Sequence, residues 1–259
     1  MFYALRRHPF PVRAHFEHCL VLTYALPADV LRPLLPPGLE VDTWGEGLGF
    51  VAVALVQTRA LRPVGMPHSL GQDFFLSGYR IFTRFRTPDG HRLRGLRILR
   101  SDTDRRLMAV AGNLLTHYNY CLAEVTLGLA DGRIEISIRT PNHEADLEIS
   151  ADLADDSQPL PSDSCFANEH EARCFAGPLP YTFDYEPQTH SIISIRGQRR
   201  AWHPRLVKVD VRQITFFHQP QFATAQPQLV SAFYLADIPY RWDRGVRYQL
   251  ESQTGMESR

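Results

Sequence analysis

Strand-length apolar runs broken by turn signals recur along most of this chain, and only two or three stretches carry the spacing of a helix. That pattern excludes a regular alternation of strands with crossover helices and leaves a mainly β architecture. His15–Ala25 (HFEHCLVLTYA) has the apolar content of a strand. Gly49–Thr58 (GFVAVALVQT) is almost continuously apolar, as a strand buried on both faces requires. Phe74–Phe85 resumes strand character, Pro88-Asp89-Gly90 turns the chain, and the arginine-interleaved run His91–Asp102 returns as the second arm of a hairpin. Beyond Cys121 the alternation continues. Ala130-Asp131-Gly132 makes a turn, Ile134, Ile136 and Ile138 fall on one face, and Ala145–Ala151 extends the meander. Tyr181–Tyr185, Ser191–Ile195, Leu206–Phe217 and Leu229–Tyr234 supply later strands. A short helix is expected within Pro27–Leu35, ended by Pro36, Pro37 and Gly38. A second runs through Arg105–Leu115, capped by Thr103 or Asp104, with Leu107, Ala111 and Leu114 on its apolar side. Phe166–Phe175 reads as a short helix or a mixed segment, and Ala154–Ser164 as a loop.

An antiparallel sheet protects its edges best by curving or closing on itself. The expected fold is therefore mainly β (α+β): a curved antiparallel sheet or closed barrel with a few packed helices. Residues 1–246 are read as one domain and residues 247–259 as a flexible tail.

Zero formal net charge and a pI near 7.2 give no global positive field for nucleic acid. No stretch approaches the eighteen or so apolar residues of a membrane span, and the N-terminus lacks the apolar core of a secretory signal. The four cysteines are widely spaced and are read as reduced, so the expected compartment is the cytoplasm. There is no glycine-rich phosphate loop and no dinucleotide fingerprint, and no cofactor is expected. His15, Glu17 and His18, and the run Asn168-Glu169-His170-Glu171, gather metal donors without a recognised ligand spacing, so no metal is expected either.

Leu31–Asp42 (LRPLLPPGLEVD) and Ala111–Val125 (AGNLLTHYNYCLAEV) resemble segments of acetoacetate decarboxylases and their relatives. The closer resemblance is to the YqjF-like group, domain of unknown function 2071. It extends through Phe74–Phe85, Leu96–Cys121, Pro180–Tyr185 and Trp202-His203-Pro204. The resemblance implies an acetoacetate-decarboxylase-like β fold around an internal pocket, assembled as an oligomer, and we expect a homodimer. Decarboxylation in that superfamily uses a lysine amine as a Schiff base. The adjacent lysines of the matching element would fall at Tyr120 and Cys121, and an acid of the family at Leu76. The chain has one lysine, Lys208, against twenty-seven arginines, and Lys208 lies in an alternating run on the same face as Asp210. Acetoacetate decarboxylase activity is therefore not expected.

Arg80, which matches an arginine of the uncharacterised group, is the leading anion anchor, because its planar fork can grip a carboxylate with two hydrogen bonds. Arg97 on the neighbouring strand is a second anchor. Tyr118, Tyr120 and Trp202 are candidate pocket walls. His117 and His203 are candidate proton carriers near neutral pH, and Cys121 is a candidate nucleophile. Three readings follow: a pocket for a small organic acid or carbonyl metabolite, a lyase or hydrolase working without an imine, and a structural or interaction protein.

Overall fold

The computed structural model describes residues 2–251 apart from 156–157, 178 and 200–201. The chain begins with a 3-10 turn, Phe2–Arg6, and the long strand β1 (Val12–Pro27), followed by helix α1 (Ala28–Leu31), β2 (Leu39–Val41) and β3 (Leu48–Pro63). The arginine-rich hairpin is β4 (Gln72–Arg86) and β5 (Arg92–Thr103), and helix α2 (Arg106–Leu115) comes next. The short β6 (Tyr120–Leu122) leads into the meander β7 (Glu124–Ala130), β8 (Arg133–Arg139) and β9 (Leu147–Asp152). Helix α3 (Glu169–Ala176) precedes β10 (Tyr181–Glu186), β11 (Ser191–Arg199), β12 (Arg205–Leu206), β13 (Val209–Ile214), β14 (Gln228–Trp242) and β15 (Val246–Gln249).

Two sheets result. In the larger one the hydrogen-bonded path runs β14–β1–β3–β4–β5–β10–β11, and β11 pairs again with β14 through Gly197↔Trp242 and Arg199↔Tyr240. The path thus returns to its start as a ring of seven strands. The smaller sheet, β13–β9–β8–β7, packs against the outer face of that ring. β3 explains the layering. Its odd residues Val51, Val53 and Leu55 join Ile134, Ile136 and Ile138 of the small sheet in one core, while its even residues face inward. A strand with both faces covered needs no polar residue on either, which accounts for the continuous apolar run. The Asp131-Gly132 turn has positive φ at both residues (50° and 71°), the twist that a two-residue hairpin demands.

The mainly β fold agrees with the sequence reading, and four details differ from it. The large sheet is not wholly antiparallel, since β5 pairs parallel with both β10 and β6. The expected strand Leu206–Phe217 divides: Leu206 pairs with β14 of the large sheet, and Val209–Ile214 pairs with β9 of the small one. Alternation is uninterrupted across the division, so only the identity of the partner strand exposes it. Residues 247–249, read as part of a tail, belong to β15, which pairs with Ser191–Ser194; residues 252–259 lie outside the described residues. The helix α2 buries Gly112 and turns Met108, Ala111 and Leu115 inward, whereas Leu107 and Leu114, expected on the packed side, are exposed. Among the described residues no helix is long and apolar enough to cross a membrane.

Candidate functional site

The ring encloses a cavity of about 370 Å³, and each of its seven strands contributes to the lining. The volume originates in small side chains. Ala52 and Ala54 on β3 stand opposite Arg80 and Gly78 on β4, so the middle of this wall has almost no side-chain bulk except the arginine itself. Residues two apart on a strand share a face. The Arg80 guanidinium folds back over Gly78, where a Cβ would come within 2.9 Å of its Nε. The β4–β5 register slips by one between Tyr79↔Arg100 and Arg80↔Ile98, and this bulge bends the strand where Arg80 enters the cavity.

A second arginine, Arg199 on β11, reaches the same cavity. Its guanidinium donates to the Tyr240 hydroxyl and stacks on Trp202, 4.7 Å from the ring centre. Burial lowers its pKa from the ordinary arginine value, with Tyr240 opposing, so this positive charge is held largely out of water. The Tyr240 hydroxyl occupies the space a side chain on Gly197 would take, 2.1 Å from the position of a Cβ. Both arginines act on the Tyr240 hydroxyl and on the buried Cys19 thiol, whose pKa burial pushes up to about 12. That keeps Cys19 a thiol and not a nucleophile at neutral pH. Among the described residues the lining includes three arginines, Arg62, Arg80 and Arg199, and no aspartate or glutamate.

The turn after α2 supplies the aromatic wall. Asn119 adopts a left-handed backbone (φ 53°), which asparagine tolerates, and Tyr118 and Tyr120 both line the cavity, their ring centres 6.2 Å apart. Asn113 fixes this turn with its amide: Nδ2 donates to the Tyr120 carbonyl and Oδ1 accepts from the Tyr120 N–H, both at 2.8 Å. The Tyr120 ring lies directly over Gly112, 2.3 Å from where a Cβ would stand. Burial raises the pKa of Tyr118 well above the ordinary tyrosine value and raises that of Tyr120 as well, so both hydroxyls stay protonated donors. The N-terminal segment closes one side. His8 lines the cavity, its N–H donates to the Leu115 carbonyl, and burial lowers its pKa to about 4, leaving a neutral imidazole.

Of the residues singled out from sequence, Arg80, Tyr118, Tyr120 and Trp202 meet at this cavity. Arg97, Cys121, His117 and His203 do not line it. Arg97 is engaged by Asp184, 2.8 Å from Nη1 to Oδ1. Cys121 lies beside Arg100 and Asp102, burial raising its pKa. His117 is turned toward Arg6, Arg97 and Glu186, with burial lowering its pKa to about 4. His203 and Lys208 are exposed. The sequence reading missed His8, Cys19, Arg199 and Tyr240. A signal for Arg199 exists: Gly78-Tyr79-Arg80 and Gly197-Gln198-Arg199 share a glycine two residues before an arginine on a strand, but Gly95-Leu96-Arg97 has it too and sends its arginine to Asp184.

No curated protein matches this sequence significantly. Among solved structures, an acetoacetate decarboxylase-like enzyme from Sphingomonas wittichii RW1 superposes with a TM-score of 0.56 at 16% identity, over 95% of this chain and 94% of that one. The acetoacetate decarboxylase of Legionella pneumophila gives 0.60 at 11% identity, over 95% and 90%. The enduracididine biosynthesis enzyme MppR, complexed with the condensation product of pyruvate and imidazole 4-carboxaldehyde, gives 0.61 at 14% identity, over 93% and 90%. At these identities the similarity establishes a shared fold. The family model described as an uncharacterised conserved protein matches residues 13–238, and the chain thus belongs to the family of domain of unknown function 2071 (DUF2071).

Proposed function

We propose that the cavity binds a small organic anion or carbonyl compound, with Arg80 as its anchor and Tyr118, Tyr120 and Trp202 as walls. One observation carries this reading. Four lining residues carry buried polar atoms without a hydrogen-bond partner among the described residues: Thr58 Oγ1, Arg80 Nε, Tyr118 Oη and Trp202 Nε1. Native proteins pair nearly all such atoms, because each one left unpaired costs about 1–3 kcal/mol. Arg80, Tyr118 and Trp202 present N–H or O–H donors, and an acceptor-rich anion answers several of them at once. The test is a thermal-shift screen of keto, hydroxy and aromatic acids on the wild type and Arg80→Gln. A matching acid at a hundred times its Kd stabilises the protein by about 2.7 kcal/mol, and the variant loses that gain. Failure of every acid to stabilise the wild type overturns the reading. The only lysine is exposed and outside the lining, so the reading includes no imine step.

A lyase or hydrolase working without an imine is the second reading, and Asp184 favours it. Burial pushes this carboxyl up to about 6 against the opposing charge of Arg97, its Oδ2 has no partner among the described residues, and its charge acts on the Tyr118 hydroxyl. A proton holder adjoining a cavity-lining tyrosine suits acid–base chemistry near neutrality. Turnover of a bound acid that persists in both Tyr118→Phe and Asp184→Asn rejects it. We further propose that the protein is a cytoplasmic homodimer. Light scattering measures the assembly directly, and a monomer at all micromolar concentrations removes it.

A further inference from the structure

We infer that the occupant of the cavity is a carboxylate with an apolar body of about a dozen non-hydrogen atoms, its head at Arg80 and its body along the hydrocarbon wall that includes α2. The inference rests on the anion reading above and specifies its ligand. Four lining residues are exposed, Pro9, Phe10, Gln72 and Leu107, and they mark the mouth. Arg80 stands in the middle of one wall, and its Nε and the Tyr118 hydroxyl are buried without a partner among the described residues. Most of the remaining wall is hydrocarbon and aromatic, including Phe16, Val56, Phe74, Leu76, Met108 and Leu235. A ligand polar along its whole length would leave its outer polar groups unpaired against that wall. A charged head with an apolar body matches the arginine and the hydrocarbon around it.

Size and rim agree with this assignment. A water-sized group occupies about 30 Å³ of liquid, so a cavity of about 370 Å³ takes roughly a dozen such groups. A carboxyl head accounts for three of them and a chain of several methylenes for the rest. Beside the mouth α2 presents an apolar face. Leu107 is 60% exposed, and Val110 and Leu114 continue the same face of α2.

Isothermal titration with butanoate, octanoate, decanoate, acetoacetate and octan-1-ol tests the inference. Affinity should rise about fourfold per methylene buried, placing octanoate on the order of a hundredfold above butanoate. Acetoacetate and octan-1-ol should both bind at least about tenfold more weakly than octanoate. Ala111→Leu, a substitution on a partly exposed helix face that helix propensity tolerates, adds three carbons to the cavity wall and should move the preferred acid to a shorter chain. Acetoacetate binding as tightly as octanoate would overturn the apolar body and leave the anion site standing. Octan-1-ol matching octanoate would overturn the charged head, and with it the anion reading. Absence of binding by every acid removes both, and an unchanged chain-length preference in Ala111→Leu overturns the placement of the body against α2.

Discussion

The two faces of β3 are equally hidden from solvent and are built for opposite purposes. Val51, Val53 and Leu55 press against the isoleucines of the small sheet, branched side chains filling the space between the layers. Ala52, Ala54 and Val56 on the other face border a cavity fringed by arginines and tyrosine hydroxyls. Burial alone therefore does not tell a packed core from the lining of a cavity. The discriminating features are side-chain volume and the fate of polar atoms. The packed face combines large residues with few polar tips, and the cavity face combines alanine and glycine with several buried donors that lack a partner among the described residues.

That contrast is most exposed to truncation. Ile136→Ala on the packed side should lose about 2–5 kcal/mol, because the surrounding sheets cannot collapse onto the missing atoms. Leu76→Ala on the cavity side should lose less than half as much, because that side chain already borders open volume. Urea unfolding at constant m-value measures both, and equal losses would break the contrast.

The next effect concerns pH. Burial holds the folded-state pKa of His8 down near 4, against about 6.5 for a free histidine. The folded value is depressed, so the stability linked to His8 is fully present above pH 6.5 and is lost as pH falls toward 4. The loss should be on the order of 2–3 kcal/mol. His117 carries the same sign, and Asp184, raised to about 6, carries the opposite one. The informative quantity is therefore the difference between wild type and His8→Asn, followed by denaturation at pH 7, 5.5 and 4.5. A flat difference would mean that the imidazole is not held neutral.

Enlarging side chains reverses the first comparison. Ala151→Leu, wholly buried beneath the small sheet, should cost about 1–3 kcal/mol through overpacking, while Ala111→Leu at the cavity should stay within about 0.5 kcal/mol. The last effect we expect is a change of sign. Replacing glycine by alanine inside a helix ordinarily stabilises by about 1 kcal/mol. Gly112→Ala should instead destabilise by a similar amount, because the new Cβ meets the Tyr120 ring. A thermal melt decides it, and a gain in stability would mean that the ring is free to move.

Period and punctuation specified much of the molecule. Alternation placed the long strands, the Pro88-Asp89-Gly90 and Ala130-Asp131-Gly132 turns placed two hairpins, and the unbroken apolar run of β3 announced a strand covered on both sides. Arg80, Tyr118, Tyr120 and Trp202 were legible because they sit in motifs resembling the family. These features are local, set by side-chain direction and backbone freedom over a few residues.

Tertiary structure decided which strands pair and which polar groups meet. The parallel pairing of β5 with β10 sends Arg97 to Asp184 and away from the cavity, and the second pairing of β14 with β11 brings Arg199 and Tyr240 to Arg80. The same global arrangement turned Leu107 and Leu114 of α2 outward. Position along the chain records which face of a strand a residue occupies but not what lies opposite, because pairing across a sheet joins residues up to 230 positions apart, as Val12 and Trp242 are. The sequence alone therefore determined a mainly β chain and singled out Arg80, and the closing of the ring determined where that arginine points and what surrounds it.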